Sequence, residues 1–272
     1  MKQWQWINGV WKFDSWKPWM WVLLMAWVHG NELSGQIILR ELIDTICVSH
    51  GIVFIIPHAN PNAIARNVRQ TEKNMNRAFS IPSQGETYED KRAQELLPLF
   101  EQSDILLDIH NTLGENSIPF LISEHPEWNQ YFPVDRVIRG LDMLHPGWSD
   151  GYMNSIGKKW FCIESGSIYD PQWPEIAKNS IMNFLRATWS IEGAPRITES
   201  QSIYQLDVIV KSQSNNVRFI KKWLDFETVH AGEIVGYDWD RVIRAPYDGV
   251  ILFSYTPTQA GEEICVFGKL QP

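Results

Sequence analysis

Residues 19–32 read WMWVLLMAWVHGNE, an apolar run from Trp19 to Val28 that leads straight into His29, Gly30, Asn31 and Glu32. A continuous apolar run of this length predicts a strand buried on both faces. It is about half the ~20 residues that a membrane-spanning helix needs. Asp14 and Lys17 precede it and no small-residue cleavage pattern follows, so it does not read as a signal peptide. Beyond the polar turn, Leu33, Ile37, Ile38, Leu42, Ile43 and Ile46 recur at helical spacing behind Asn31 or Ser34 as cap.

The same alternation continues. Ile52 to Ile56 predicts a second strand, and Asn60-Pro61-Asn62 carries turn chemistry, followed by a long polar loop. Ala93, Leu96, Leu97 and Phe100 mark an amphipathic helix over 86–101, and Asp104 to Ile109 a strand ending at His110. Residues 150–158 predict a short helix, Trp160 to Ile163 a strand and Ile176 to Trp189 a helix. Strands alternating with helices imply a largely parallel sheet. After Gly193-Ala194-Pro195 the texture becomes short β segments: 203–210, 216–220, 233–237, 241–245, 249–253 and 263–267. The expected organisation is a catalytic domain over residues 1–196 and a small β domain over 197–272.

The net charge of −8 excludes the clustered cationic footprint that nucleic-acid binding needs. Cys47, Cys162 and Cys265 are far apart and include no CxxC pair, which predicts neither a disulfide framework nor a cysteine zinc site. A cytoplasmic location without membrane or nucleic-acid partners is the expectation, and a homo-oligomer stays open. Of 14 tryptophans, eight lie in the first half of the chain, Trp4, Trp6, Trp11, Trp16, Trp19, Trp21, Trp27 and Trp128, and nothing in the sequence explains that bias.

His29, Glu32, His110 and Glu164 all fall at carboxyl ends of predicted strands. In open parallel sheets ligands bind at that edge, so these residues are expected to converge on one crevice. Two imidazoles and a carboxylate are a standard three-ligand set for catalytic zinc, with one position left for water. Asp108 shares a strand face with His110, in place either to orient that ligand or to serve the fold.

Four motifs occur in order: Val28-His29-Gly30-Asn31-Glu32, Asn74-Met75-Asn76-Arg77-Ala78-Phe79, Asp108-Ile109-His110-Asn111-Thr112 and Ile163-Glu164-Ser165-Gly166. Together they resemble the succinylglutamate desuccinylase/aspartoacylase family, a branch of the zinc carboxypeptidase fold, over most of residues 19–190. The resemblance implies an α/β fold with a mixed, largely parallel sheet flanked by helices, followed here by a small all-β domain. It implies one zinc per chain held by His29, Glu32 and His110, with Glu164 as general base. It assigns Arg69 to polarising the scissile carbonyl, with Arg66 as competitor, and Asn76 and Arg77 to the substrate carboxylate. The implied activity is hydrolysis of a linear amide in a small molecule, an N-acyl amino acid or a related carboxylate. A metallocarboxypeptidase acting on short peptides is the alternative.

The chain departs from aspartoacylases upstream of Glu164. Where those enzymes carry a Tyr and an Arg that recognise an acidic side chain, it reads Asp150-Gly151-Tyr152-Met153-Asn154, with Lys158 and Lys159 beyond. Tyr152, Asn154 and Lys158 are candidates for substrate contact or for a helix surface. Residues 244–251 and 261–264 resemble the barrel-sandwich pattern of biotinyl domains without its lysine motif. A role in gating the site or forming an oligomer stands beside a purely structural one.

Overall fold

The apolar run centred on Leu23 forms β2 (Trp21–Ala26), with Val22 to Ala26 shielded from solvent on both faces. The computed structural model describes residues 7–79, 85–112, 117–141 and 147–272; Trp4 and Trp6 lie outside them. Strand β2 is shorter than the 19–28 run because Trp27 takes a left-handed conformation (φ 62°) and turns the chain toward His29. Around β2 gather β1 (Trp11–Asp14), β3 (Ile52–Ile56), β4 (Ile105–Thr112), β5 (Phe120–Ile122), β6 (Arg136–Arg139) and β7 (Lys159–Ser167). The strands β3, β2, β4 and β7 are mutually parallel, β1 is antiparallel to β3, and β5 is antiparallel to β7.

The helices are α1 (Ser34–Thr45), α2 (Pro61–Arg66), α3 (Tyr88–Gln102), α4 (Pro126–Asn129), α5 (Ser149–Ser155) and α6 (Trp173–Ala187). Side chains alternate across the sheet and split the core. Leu23, Met25, Leu106, Trp160 and Cys162 pack with α3 and α5, while Leu24, Leu107, Phe161 and Ile163 pack with α1 and α6. None of the described helices is long and apolar enough to cross a membrane.

The C-terminal segments form β8 (Ser202–Lys211), β9 (Val217–Phe219), β10 (Glu227–Val229), β11 (Ile234–Asp238), β12 (Arg241–Arg244), β13 (Gly249–Leu252) and β14 (Glu263–Leu270). Strand β8 pairs with β6, so one sheet runs β1-β3-β2-β4-β7-β5-β6-β8-β14-β13-β10, and β12-β11-β9 form a second sheet. The C-terminal strands thus extend the central sheet and enclose their own core around Phe267, Ile251 and Trp223.

Several local expectations are corrected. Helix α1 has Leu33 at its cap position with no side-chain cap hydrogen bond, and Asn31 Oδ1 has no hydrogen-bond partner, so Asn31 does not cap it; the Ser34 side chain lies outside the described residues. Asn60-Pro61-Asn62 opens α2 instead of a plain turn, because the Asn60 side chain accepts the Ala63 N–H (3.2 Å) and Pro61 suits the first helical turn. His110 and Glu164 lie within β4 and β7 instead of just beyond them. The short strands β1, β5, β6 and β10 went unread, since three or four residues give too little periodicity.

Candidate metal centre

Gly30 lets the loop after β2 close on α2. A Cβ there would meet the Ala63 carbonyl carbon at 2.1 Å. The same close approach places the Gly30 N–H on the Arg69 carbonyl (3.3 Å), bringing the loop that bears Arg69 against His29 and Glu32. His110 arrives from the centre of the sheet on β4, next to Glu164 on β7. His29, Glu32 and His110 are all buried, and one donor atom from each lies within 4.8 Å of the others.

The orientation of the two rings is informative. His29 Nδ1 stands 2.7 Å from Glu32 Oε1, and His110 Nδ1 stands 2.8 Å from Glu32 Oε2. The outer nitrogen of His29, Nε2, is held from behind by Asn74 Oδ1 at 3.1 Å, while His110 Nε2 stands 3.2 Å from Asp108 Oδ2 as a charge contact without hydrogen-bond geometry. Asn74 Oδ1 also accepts the Asn76 N–H (3.0 Å), which fixes it as an acceptor and makes His29 Nε2 the donor. The His29 Nδ1 lone pair therefore points at a carboxylate oxygen, and this buried nitrogen has no hydrogen-bond partner. An imidazole lone pair and a carboxylate oxygen turned toward each other are donor atoms that a shared cation would take. Rings oriented through their outer nitrogens by an amide or carboxylate oxygen are what metal-ligating histidines show.

The protonation balance agrees with the donor set. Burial, joined by the Arg69 charge, pushes His29 down to about 4, so its ring is neutral. Burial would lower His110 too, but the Asp108 and Glu32 carboxylates outweigh it and hold the ring well above the usual imidazole range. Burial would raise Glu32, yet the two imidazoles hold it below the usual carboxylate range. The proton kept at His110 is one that cation binding would release.

Glu164 is the register partner of His110. Its Oε2 is sealed from solvent without a hydrogen-bond partner. Burial pushes the carboxyl up to about 8; Glu32 and Asp225 add to the rise, while His110 and Arg69 oppose it. Arg69 Nη1 donates to Glu32 Oε1 (3.0 Å), whereas Arg66 is exposed at the end of α2. Asn76 and Arg77 sit in a short 3-10 turn (Met75–Arg77) directly after Asn74, and the buried Asn76 Oδ1 has no hydrogen-bond partner.

Tyr152 and Lys158 do not reach this site. The Tyr152 hydroxyl donates to Glu101 (3.0 Å), and Lys158 Nζ donates to the carbonyls of Glu101 and Ser103 (2.6 Å to the latter). Those partners end α3 and precede β4, at the sheet edge opposite the cluster. A lysine there satisfies the terminal carbonyls of a helix.

Sequence reading missed four supporting residues. Asn74 orients His29. Glu89, fully buried, accepts from Thr71 N (2.7 Å), Thr71 Oγ1 (2.6 Å) and the amides of Glu72 and Lys73, and so holds the loop between Arg69 and Asn74. Asp225, in the turn before β10, accepts from Ser117 Oγ (2.6 Å), and Glu263 of β14 pairs with Arg77 (3.5 Å). Only Asn74 carried a local signal, its place inside a quoted motif.

The sequence model of the succinylglutamate desuccinylase/aspartoacylase catalytic domain matches residues 19–188. An N-acyl-aromatic-L-amino acid amidohydrolase (carboxylate-forming) of Xenopus tropicalis is 31% identical over 187 residues, covering 61% of this chain and 59% of the relative. The chain thus spans well under two thirds of that relative's length. A probable aspartoacylase of Nostoc sp. is 24% identical over 54% of this chain and 55% of its own. The crystal structure of a succinylglutamate desuccinylase/aspartoacylase from Rhodobacter sphaeroides superposes with a TM-score of 0.76 at 20% identity, covering 97% of this chain and 89% of that one. Likeness at that identity speaks for the fold, including the C-terminal strands.

Proposed function

The chain belongs to the succinylglutamate desuccinylase/aspartoacylase family, and from that premise we propose that it is a zinc-dependent hydrolase that deacylates an N-acyl amino acid or related carboxylate-bearing small molecule. The observation that carries this reading is the convergence of the His29 and His110 Nδ1 atoms on the Glu32 carboxylate, with Glu164 beside them. His29, Glu32 and His110 are the residues that would hold one zinc. Zinc bound there supplies Lewis acidity, polarising a scissile carbonyl and bringing the pKa of a water to about 7.

Each remaining step belongs to the chain's own residues. Glu164 takes the proton of the attacking water and returns it to the departing amine, and one carboxyl serves both transfers in turn. Arg69 offers a guanidinium for the charge that develops on the carbonyl oxygen. Asn76 and Arg77 hold the substrate carboxylate, which a guanidinium grips through two parallel N–H bonds.

We further assign residues 1–196 to the catalytic unit and 197–272 to a β unit that walls its entrance, supported by the Asp225 and Glu263 contacts. Unpaired Cys47, Cys162 and Cys265 suit a reducing compartment and support a cytoplasmic location. The reading is tested by following amino-acid release from a panel of N-acyl amino acids and short peptides with and without chelator. Chelator-sensitive release from the N-acyl amino acids supports it, and release from peptides alone would move the assignment to a carboxypeptidase.

A further inference from the structure

Glu164 has a neighbour on each side in the sheet. His110 is its register partner on β4, and Phe120 is its partner on the antiparallel strand β5. Directly opposed residues of an antiparallel pair put their side chains close together on one face, so the Phe120 ring and the Glu164 carboxyl share a wall. Glu164 Oε2 is sealed from solvent with no hydrogen-bond partner, which leaves packing to set where that oxygen points.

What holds Phe120 comes from far along the chain. Its ring meets those of Phe226 (5.3 Å between centroids) and Phe253 (5.8 Å), both edge-on. Phe226 and Phe253 each take a left-handed backbone conformation, with φ of 65° and 53°. Bulky residues rarely adopt it, and such strain persists only where surrounding contacts over-determine it. Asp225 supplies part of those contacts. Its Oδ1 accepts the Phe253 N–H (2.8 Å), and its Oδ2 accepts the Ser117 hydroxyl (2.6 Å). The Phe226 N–H in turn donates to the Ile251 carbonyl (3.0 Å). Ser117 is buried, and its carbonyl accepts the Ser167 N–H (3.0 Å) at the end of β7. One carboxylate thus ties the aromatic pair to the segment leading into β5 and, through Ser117, to the strand that carries Glu164.

We propose that Asp225 is a positioning residue for hydrolysis: through Ser117 and the Phe226–Phe253 pair it fixes Phe120 and the end of β7, and so holds the Glu164 carboxylate in line for its proton transfers. The proposal rests on the deacylase reading above and adds a residue to that site. Proton transfer needs heavy atoms within about 2.6–3.2 Å, and a misplacement of about 1 Å can cost about a hundredfold in rate. Loosening this tie therefore lowers kcat, while Asn76 and Arg77 still hold the substrate carboxylate and His29, Glu32 and His110 still offer their ligand set. The Asp225 charge also reaches Glu164, so charge and position have to be separated.

The test measures kcat and KM on the N-acyl amino acid that zinc-loaded wild type cleaves fastest, zinc affinity by chelator competition, and folding by circular dichroism. The variants are Asp225→Ala, Asp225→Asn, Ser117→Ala and the Asp225→Ala/Ser117→Ala double variant. Asp225→Ala is expected to lower kcat about tenfold, with KM and zinc affinity within about twofold of wild type. Asp225→Asn restores most of kcat, because its amide oxygen still accepts the Phe253 N–H and its amide nitrogen donates to Ser117 Oγ. Ser117→Ala also lowers kcat, and the double variant is little slower than Asp225→Ala alone, as expected of residues that act through one contact. Where Asp225→Ala does not fold, Ser117→Ala carries the test with the same split between kcat and KM. Wild-type kcat in the alanine variants, or a loss of zinc affinity as large as the loss of kcat, overturns the proposal while amino-acid release by wild type still upholds the deacylase. An Asp225→Asn variant as slow as Asp225→Ala also overturns it, by assigning the effect to charge instead of position. No release from any N-acyl amino acid by the zinc-loaded wild type overturns the deacylase reading and this proposal with it.

Discussion

His110 and Glu164 face each other in the register of the parallel strands β4 and β7. Parallel neighbours in register project to the same face of a sheet, so a candidate metal ligand and a candidate base share one wall without any loop to position them. Rigid strands hold such geometry more tightly than loops do.

That separation of roles predicts separable losses. Glu164→Gln should retain zinc while hydrolysis falls by about 10²–10⁴-fold, the usual contribution of a positioned general base. His110→Ala should lose zinc as well as activity. Metal content and initial rates on the same preparations check both, and full activity in Glu164→Gln would sink the base assignment.

Asn74 should matter through His29 and through the turn bearing Asn76, whose N–H it also accepts. Asn74→Ala removes the acceptor that fixes the His29 ring, and losing such a partner weakens metal affinity by about 10–100-fold. Competition against a zinc chelator of known affinity measures it. An unchanged zinc affinity would show that the ring is held some other way.

Glu89 predicts a pH dependence of stability. Burial alone would raise its carboxyl, but hydrogen bonds from Thr71 and its neighbours outweigh that and hold it below the ordinary value. A lowered folded-state pKa gives stability that is present above about 4.5, the unfolded value, and is lost as pH falls through the folded one. Glu89→Gln should lower stability by about 2–3 kcal/mol near neutrality, since bonds to a charged acceptor weaken. The variant should also flatten the acid limb of a melting-temperature profile. An acid limb identical to wild type would contradict the anchoring role.

The two arginines should separate kinetically. Arg77→Ala removes ground-state binding of a carboxylate and should raise KM with a smaller change in kcat, while Arg69→Ala should chiefly lower kcat. Steady-state kinetics on one N-acyl amino acid decide it, and a reversed pattern would exchange their roles.

Much of the site was legible because each reactive residue follows or ends a long apolar run: Val22 to Ala26 before His29, Ile105 to Ile109 before His110, and Trp160 to Ile163 before Glu164. Parallel pairing of those runs does the rest. What escaped depends on tertiary contact. Glu89 reads as an ordinary acidic residue in the first turn of α3, and only the folded loop puts four donors on it. Glu263 and Asp225 lie far along the chain from Arg77 and Ser117, in a strand and a turn whose sequence says nothing of what they face. Tyr152 and Lys158 were open candidates because helix phase alone does not reveal which sheet edge a side chain reaches.

The decisive measurement is metal analysis of protein purified without added metal, followed by hydrolysis of N-acyl amino acids before and after chelation. The expected result is about one zinc per chain, held through His29, Glu32 and His110, with activity lost on chelation and restored by zinc. Protein that holds no metal, takes up none, and leaves every N-acyl amino acid intact would contradict it.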